Sequence, residues 1–85
     1  MIYVLLDKAR AQVVIEINQT ASKFKSSIVI TTDNQSIDAK SILGLTYSIL
    51  NSKSFKLEIH GPDEKEAKIA MSSVFWKHSL PVEVV

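Results

Sequence analysis

The sequence predicts an α/β open-faced sandwich, in which helices cover one face of a single β-sheet. Phe55–His60 alternates apolar and polar residues without an error, a pattern typical of a half-buried strand. Asp63, followed three residues later by Glu66, resembles a capping box and opens a helix with an apolar stripe. Between residues 27 and 39, two short strand-like runs flank the turn residues Asp33–Gln35, which indicates a hairpin.

The N-terminal third contains one predicted strand and one ambiguous segment. Ile2–Leu6 is a continuous, partly β-branched apolar run, and it predicts the first strand. In residues 11–24 the β-branched side chains favour a strand, whereas apolar residues also recur at helical spacing. The helical positions are Val14, Ile17, Ala21 and Phe24. The residues alone leave both interpretations open, with helix slightly ahead.

The middle of the chain predicts the hairpin and a short helix. Its two strands are Ser27–Thr32 and Ser36–Ala39. Ser41 is placed to serve as an N-cap, because its hydroxyl can accept a hydrogen bond from an amide two or three residues further on. The helix that it caps is expected to run to about Leu50, although Gly44 weakens it slightly.

The C-terminal third predicts a helix and a short tail. The helix after Asp63 is expected to end at about Lys77 or His78. Residues 79–85 have strand composition after a proline, and they are expected to form either a tail or an extra edge strand. Strands and helices alternate often enough to predict one sheet with helices on one face.

Length and composition limit the possible functions. At 85 residues the chain is expected to be one domain spanning 1–85, and 46% hydrophobic with 22% charged residues predicts a folded core. Ten basic side chains against nine acidic ones, with no basic run, disfavour nucleic acid as a partner. With no cysteine, the chain has no disulfide framework, no thiolate zinc site and no cysteine nucleophile.

The same features predict a cytoplasmic protein that does not associate with membranes. The absence of cysteine fits a reducing compartment. The apolar opening Ile2–Leu6 is too short for a signal-peptide core or a membrane-spanning helix. His60 and His78 are the only histidines, and both are expected to be solvated surface residues. No metal site and no cofactor are expected.

Three segments together resemble the HPr family of bacterial phosphotransferase-system phosphocarriers. Ser36–Leu45 is similar to the region with the family's regulatory serine, Gln19–Phe24 to the end of its first helix, and Gly61–Ala67 to the start of its last helix. The resemblance implies a β-α-β-β-α-β-α order and makes residues 11–24 a helix. It also implies a four-stranded antiparallel sheet with strand order 1-4-2-3 and three helices on one face.

The resemblance also implies that the carrier histidine is missing. Counting back without gaps from Gln19, the family's phosphorylated histidine corresponds to Arg10, its arginine to Gln12 and its helix-start proline to Val13. A two-residue shift would align Lys8–Arg10 with the family's His-Ala-Arg tripeptide but still offers no histidine. A permanently protonated guanidinium cannot hold a labile phosphoryl group as imidazole does. The chain is therefore expected to be no enzyme and no carrier, with no catalytic residue.

The expected function is that of a regulatory adaptor, similar to Crh-type relatives that keep the serine and lack the histidine. Ser41 corresponds to the serine that a kinase phosphorylates in the family. The implied partner is a protein, namely a kinase, a transcription regulator or a transport component, and the chain is expected to be a monomer or weak homodimer. The implied partner-binding surface is formed by Arg10, Gln12, Lys40, Ser41, Ile42 and Leu43. The alternatives are phosphoryl relay through another acceptor, such as His60, and an HPr-fold scaffold with an unrelated partner.

Overall fold

The computed structural model describes residues 8–33 and 35–85, which form three helices and a four-stranded sheet. The helices are α1 (Lys8–Ser22), α2 (Ile42–Asn51) and α3 (Glu64–Lys77). The strands are β1 (Ser27–Thr31), β2 (Ser36–Asp38), β3 (Phe55–His60) and β4 (Val82–Val84). The open-faced sandwich is confirmed, and residues 11–24 are mostly helical. The strand predicted at Ile2–Leu6 lies outside the described residues.

The sheet has the strand order β2-β1-β3-β4. β1 pairs antiparallel with both β2 and β3, as the family resemblance implied for these three strands. The expectation of a fully antiparallel sheet is wrong, because β4 pairs parallel to β3, with Phe55 opposite Val82 and Leu57 opposite Val84. The helix α3 lies between these two strands in the sequence, so β3, α3 and β4 form a crossover connection in which β4 runs in the same direction as β3. The described sheet is therefore mixed.

The core lies between the inward face of the sheet and the three helices. β3 buries every second residue, namely Phe55, Leu57 and Ile59, as its alternation predicts. Phe55 and Phe75 of α3 meet edge to face with ring centroids 5.6 Å apart. α1 contributes three fully or almost fully buried side chains, which are Val14, Ile17 and Ala21. Tertiary burial on this one face explains why a segment rich in β-branched residues is a helix.

The turn between β3 and α3 differs from the expected capping box. Asp63 is the N-cap residue of α3 but makes no side-chain hydrogen bond to that helix. Its carboxylate instead accepts hydrogen bonds from the backbone amides of Lys25 and Ser26, each at 2.9 Å, and from the Ser26 hydroxyl. The Ser26 hydroxyl and the Lys25 amide lower the pKa of Asp63. The expected capping box is wrong, because the carboxylate bonds to the amides of Lys25 and Ser26 and not to the first amides of α3.

Gly61 is required by the same turn. Its φ is +153°, and a Cβ at this position would lie 2.5 Å from the Ser26 Cα atom. Any side chain here would therefore push β1 away from the β3–α3 turn.

The end of α3 directs the chain into β4. The Leu80 amide donates to the Phe75 carbonyl at 2.9 Å, and the Ser79 amide donates to the Trp76 carbonyl at 3.0 Å. Ser79 has a φ of +58°, so these bonds form a Schellman motif with serine where glycine is usual. Leu80 then packs against the core, and β4 follows.

The burial of α1 predicts different costs for two neighbouring isoleucines. Ile17 is 0% exposed, whereas Ile15 is 48% exposed. Ile17→Ala is expected to lower the free energy of unfolding by about 2–5 kcal/mol, because it leaves a cavity. Ile15→Ala is the matched control, with an expected cost below about 1 kcal/mol. Urea denaturation of both variants measures the difference, and equal losses would contradict this packing of α1.

Candidate functional site

The start of α1 lies beside a cavity of about 380 Å³. Arg10 and Gln12, the third and fifth residues of α1, are both exposed. Arg10 lines the cavity, as do Lys53 and His78, so three basic side chains border it, and none of the described residues that line it is a carboxylate. The other lining residues are Ala9, Val13, Ile49, Ser52, Ser79, Leu80 and Pro81. Its surroundings are thus suited to a negatively charged group.

A carboxylate joins α1 to the end of α3 next to this cavity. Glu16 Oε2 lies 2.8 Å from Lys77 Nζ, and Glu16 Oε1 lies 2.9 Å from His78 Nε2. The hydrogen bonds from Lys77 and His78 hold the pKa of Glu16 below its usual value. His78 is therefore a half-buried, bonded residue, and the prediction that it is solvated is wrong. His60 is exposed at the end of β3, as predicted.

The start of α2 carries the second group of predicted site residues. Ser41 is the N-cap, as predicted, and its hydroxyl accepts a hydrogen bond from the Gly44 amide at 3.5 Å. Lys40 donates its ammonium to the carbonyls of Phe24 at 2.9 Å and Ser26 at 3.1 Å. The amide of Lys40 donates to the Asp38 carboxylate. These bonds anchor the turn before α2, so Lys40 serves the local structure while Ser41 remains exposed.

An exposed apolar surface extends from Ser41 along α2. Ile42 is 45% exposed and Leu43 is 72% exposed, while Leu45 is fully buried. Tyr47, which is 60% exposed, was not among the predicted surface residues. Its position four residues after Leu43 is the signal that would have placed it on the same helix face as that residue. The α2 surface, defined here as Ile42, Leu43 and Tyr47, is thus available to a partner.

The structure does not bring all the predicted surface residues together. Arg10 borders Ile49, Ser52 and Lys53, which lie at the C-terminal end of α2, whereas Ser41 lies at its N-terminal end. The 10 residues of α2 rise about 15 Å. Asn18, further along α1, donates to the Ala39 carbonyl near Ser41. Arg10 and Gln12 are both near the start of α1 but line different cavities, and Lys40 to Leu43 lie at the opposite end of α2 from Arg10.

Two kinds of site are absent from the described residues. No group of three or more His, Cys, Asp or Glu residues within them is placed to hold a metal ion. No helix among them has the length and apolar character needed to cross a membrane.

Comparisons with known proteins identify the family. A family model described as the PTS HPr component phosphorylation site matches residues 9–76. An HPr dimer from Thermoanaerobacter tengcongensis is 34% identical, with a TM-score of 0.73, and the match covers 85% of this chain and 86% of that one. The fold and the matched segment define a domain of the phosphotransferase-system phosphocarrier class. The chain belongs to the HPr family.

Two further solved structures are similar. A domain-swapped dimer of the Bacillus subtilis protein Crh is 26% identical with a TM-score of 0.70, and the match covers 79% of this chain and 78% of that one. A histidine-containing phosphocarrier protein from Mycoplasma has a TM-score of 0.74 at 22% identity, covering 91% of each chain, which supports the fold alone. No curated protein sequence matches this chain.

The Glu16 contacts predict a pH-dependent contribution to stability. Because its pKa is lower in the folded than in the unfolded chain, the Glu16 carboxylate stabilises the fold above the unfolded value near 4.5. That contribution is lost as the pH falls through the folded value. Glu16→Gln should therefore lower the urea midpoint at neutral pH, and its difference from the wild type should shrink between about pH 5 and pH 3.

Urea melts of both proteins across this pH range make the measurement. Lys77→Gln is the matched variant. It removes one of the two partners of the Glu16 carboxylate, so it should lower the urea midpoint at neutral pH by part of the amount seen in Glu16→Gln. A difference between wild type and Glu16→Gln that stays constant with pH would contradict a stabilising role for the ionised carboxylate.

Proposed function

We propose that this chain is a regulatory adaptor of the phosphotransferase system, one that has lost phosphoryl-carrier activity and binds protein partners. The observation that carries the proposal is the first turn of α1, which reads Lys8-Ala9-Arg10-Ala11-Gln12 and contains no histidine. The family model includes this turn in its matched range. An arginine at the carrier position keeps a positive charge there but provides no acceptor for a phosphoryl group.

The partner is a protein whose surface combines apolar and acidic groups. The α2 surface is apolar and exposed, and it needs a partner that buries it. Exposed basic residues lie on α1 and near both ends of α2, namely Lys8, Arg10, Lys23, Lys40 and Lys53. Complementary acidic groups would speed association and set the orientation of the complex. The proposal is met by a cytoplasmic protein with such a surface, for example a kinase, a transcription regulator or a transport component.

Ser41 is the proposed point of control. Its hydroxyl is exposed, and it lies where the unpaired amides and the positive end of the α2 dipole favour a phosphate group. Phosphorylation would place about two negative charges beside the α2 surface and change which partners bind there. The similarity of Ser36–Leu45 to the family's regulatory segment supports this role.

The Ser41 prediction separates capping from regulation. Ser41→Ala is expected to lower the free energy of unfolding by about 1 kcal/mol or less, since the bond to Gly44 is long. Incubation with labelled ATP and a kinase that phosphorylates the regulatory serine of HPr proteins should label the wild type but not Ser41→Ala. Ser54→Ala removes another exposed serine and should leave labelling unchanged. Equal labelling of wild type and Ser41→Ala would contradict the proposed modification site.

A second candidate function is phosphoryl relay through a different histidine. The observation that favours it is the position of His78, which lines the same cavity as Arg10. His78 Nε2 lies 2.9 Å from Glu16 Oε1, and in the tautomer in which Nε2 donates to this carboxylate the ring is oriented and Nδ1 is left to accept a phosphoryl group. His60, the acceptor considered from the sequence, lies at the end of β3 opposite Ser27 and outside this cavity. His78 is thus the better acceptor of the two.

Labelling with phosphoenolpyruvate and the relay's upstream phosphoryl donor distinguishes these functions. The adaptor function predicts no acid-labile label on the wild-type chain. Acid-labile label that disappears in His78→Gln and persists in His60→Gln would contradict the adaptor proposal and support relay through His78. Label that disappears only in His60→Gln would contradict both. An HPr protein with an intact histidine serves as the positive control for the donor.

A further inference from the structure

The outer side of α3 carries two large exposed apolar side chains. Ile69 is 69% exposed and Trp76 is 63% exposed. Their spacing in the sequence corresponds to about two helical turns, so they lie on the same side of the helix. The opposite side packs against the core through Ala67, Met71, Val74 and Phe75. Large apolar side chains grouped on an exposed helix face mark a surface that associates with another molecule.

The residue between these two side chains suits the close approach of a second helix. Ser73 is exposed, and it lies one turn after Ile69 and one turn before Trp76. Its small side chain lets another helix approach without a steric clash. The α3 surface, defined here as Ile69, Ser73 and Trp76, therefore has a small residue at its centre and a large apolar residue at each end.

The charges along α3 are complementary to those of the same helix turned end for end. The first turn of α3 is acidic, with Glu64 and Glu66, and the last turn is basic, with Lys77. Glu66 and Lys77 are about three turns apart, so they lie along the same flank of the α3 surface. Glu66 is exposed, and the Lys77 side chain remains 64% exposed although its ammonium bonds to Glu16.

We propose that two copies of this chain associate through the α3 surface as an antiparallel dimer with twofold symmetry. A twofold axis beside Ser73 places Ile69 of each copy against Trp76 of the other, and every such contact occurs twice. The same flanks of the two helices then lie side by side, which brings Glu66 of each copy close to Lys77 of the other. The two helix dipoles run in opposite directions, which also favours this arrangement.

A parallel arrangement of the two helices fits less well. It would place the acidic first turns of both helices together and their basic last turns together, and like charges repel. The area of the contact also limits its strength. A helix of 14 residues is about 21 Å long and about 10 Å wide, which is less than the roughly 800 Å² that each partner buries in a stable complex. The dimer is therefore weak and depends on protein concentration.

The dimer leaves the α2 surface available. α1 packs against both α2 and α3, so the α2 surface and the α3 surface belong to different helices on either side of α1. Each dimer would present two α2 surfaces and two Ser41 side chains, and a partner with two binding sites would bind such a dimer more tightly than one copy. This consequence rests on the proposed adaptor function, whereas the dimer itself does not.

Sedimentation equilibrium and tryptophan fluorescence of the full chain test the proposal. We expect a dissociation constant between about 10 µM and 1 mM. Trp76 is the only tryptophan of the chain, and its emission should shift to shorter wavelength over the same concentration range because its ring leaves water. A chain that stays monomeric up to about 1 mM would overturn the proposal. So would a short-wavelength emission that does not change with concentration, because the ring would then be covered within one copy.

Two alanine variants locate the contact. Trp76→Ala should weaken dimerisation at least about tenfold, because it removes an anchor that occurs twice. Leu43→Ala is the matched control on the α2 surface, and it should leave the dissociation constant unchanged. Both side chains are exposed, so both variants should fold. Unchanged dimerisation of Trp76→Ala would overturn the proposal, as would a loss found in Leu43→Ala alone.

A pair of charge reversals tests the antiparallel orientation. Glu66→Lys brings two lysines together at both ends of the contact, and it should weaken dimerisation about tenfold at low salt and less at high salt. Glu64→Lys makes the same change in net charge two residues earlier, on the other side of the helix, and should have little effect. Equal weakening by both variants, or stronger dimerisation of Glu66→Lys, would overturn the antiparallel dimer.

Discussion

The antiparallel pairing of β1 with β3 is the constraint on which the rest of the structure depends. Ile28 lies opposite Ile59 and Ile30 lies opposite Leu57, and all four side chains are at most 1% exposed. A shift of one residue would replace these side chains on the inward face by their neighbours, which are polar in every case but Val29. The hydrogen bonds from Ser26 and Lys25 to Asp63 hold the end of this pairing in register. The three helices pack on the apolar surface that the pairing creates.

The helix termini acquire their positions from this packing. α1 crosses between the other two helices, with Glu16 bonded to the end of α3 and Asn18 bonded to Ala39 just before α2. These contacts lie on polar faces of a helix whose buried face is fixed by Val14 and Ile17. The core thereby determines which charged groups meet, and the cavity beside Arg10 is a consequence of where the helices start and end.

Local patterns predicted the elements whose energetics are local. β3 alternates strictly because one face is buried and the other is open, and Ser41 caps α2 because the bond it makes is three residues away. The role of the Asp63 carboxylate could not be predicted, since it accepts hydrogen bonds from amides 37 and 38 residues away in the sequence and does not cap its own helix. The parallel pairing of β4 with β3 could not be predicted either, because a strand of only three residues has little intrinsic preference for one partner strand or direction.

In the candidate site, too, the features set by nearby residues could be predicted and those set by distant residues could not. The Ser41 cap and the exposed residues Ile42 and Leu43 could be inferred from the short helix that contains them. The contact between Glu16 and His78 joins residues separated by 62 positions, and neither residue belongs to a recognisable motif. Only the packing of α1 on α3 reveals that a histidine borders the cavity beside Arg10.

The separation of the two ends of α2 has a consequence for how the family's functions can diverge. Arg10, near the start of α1, borders the C-terminal end of α2, whereas Ser41 caps its N-terminal end. Substitutions at sites more than about 10 Å apart usually contribute almost additively to stability. A change of chemistry at Arg10 therefore leaves the Ser41 cap and the α2 surface intact. The proposed loss of phosphoryl transfer near Arg10 is therefore compatible with the proposed partner recognition along the α2 surface.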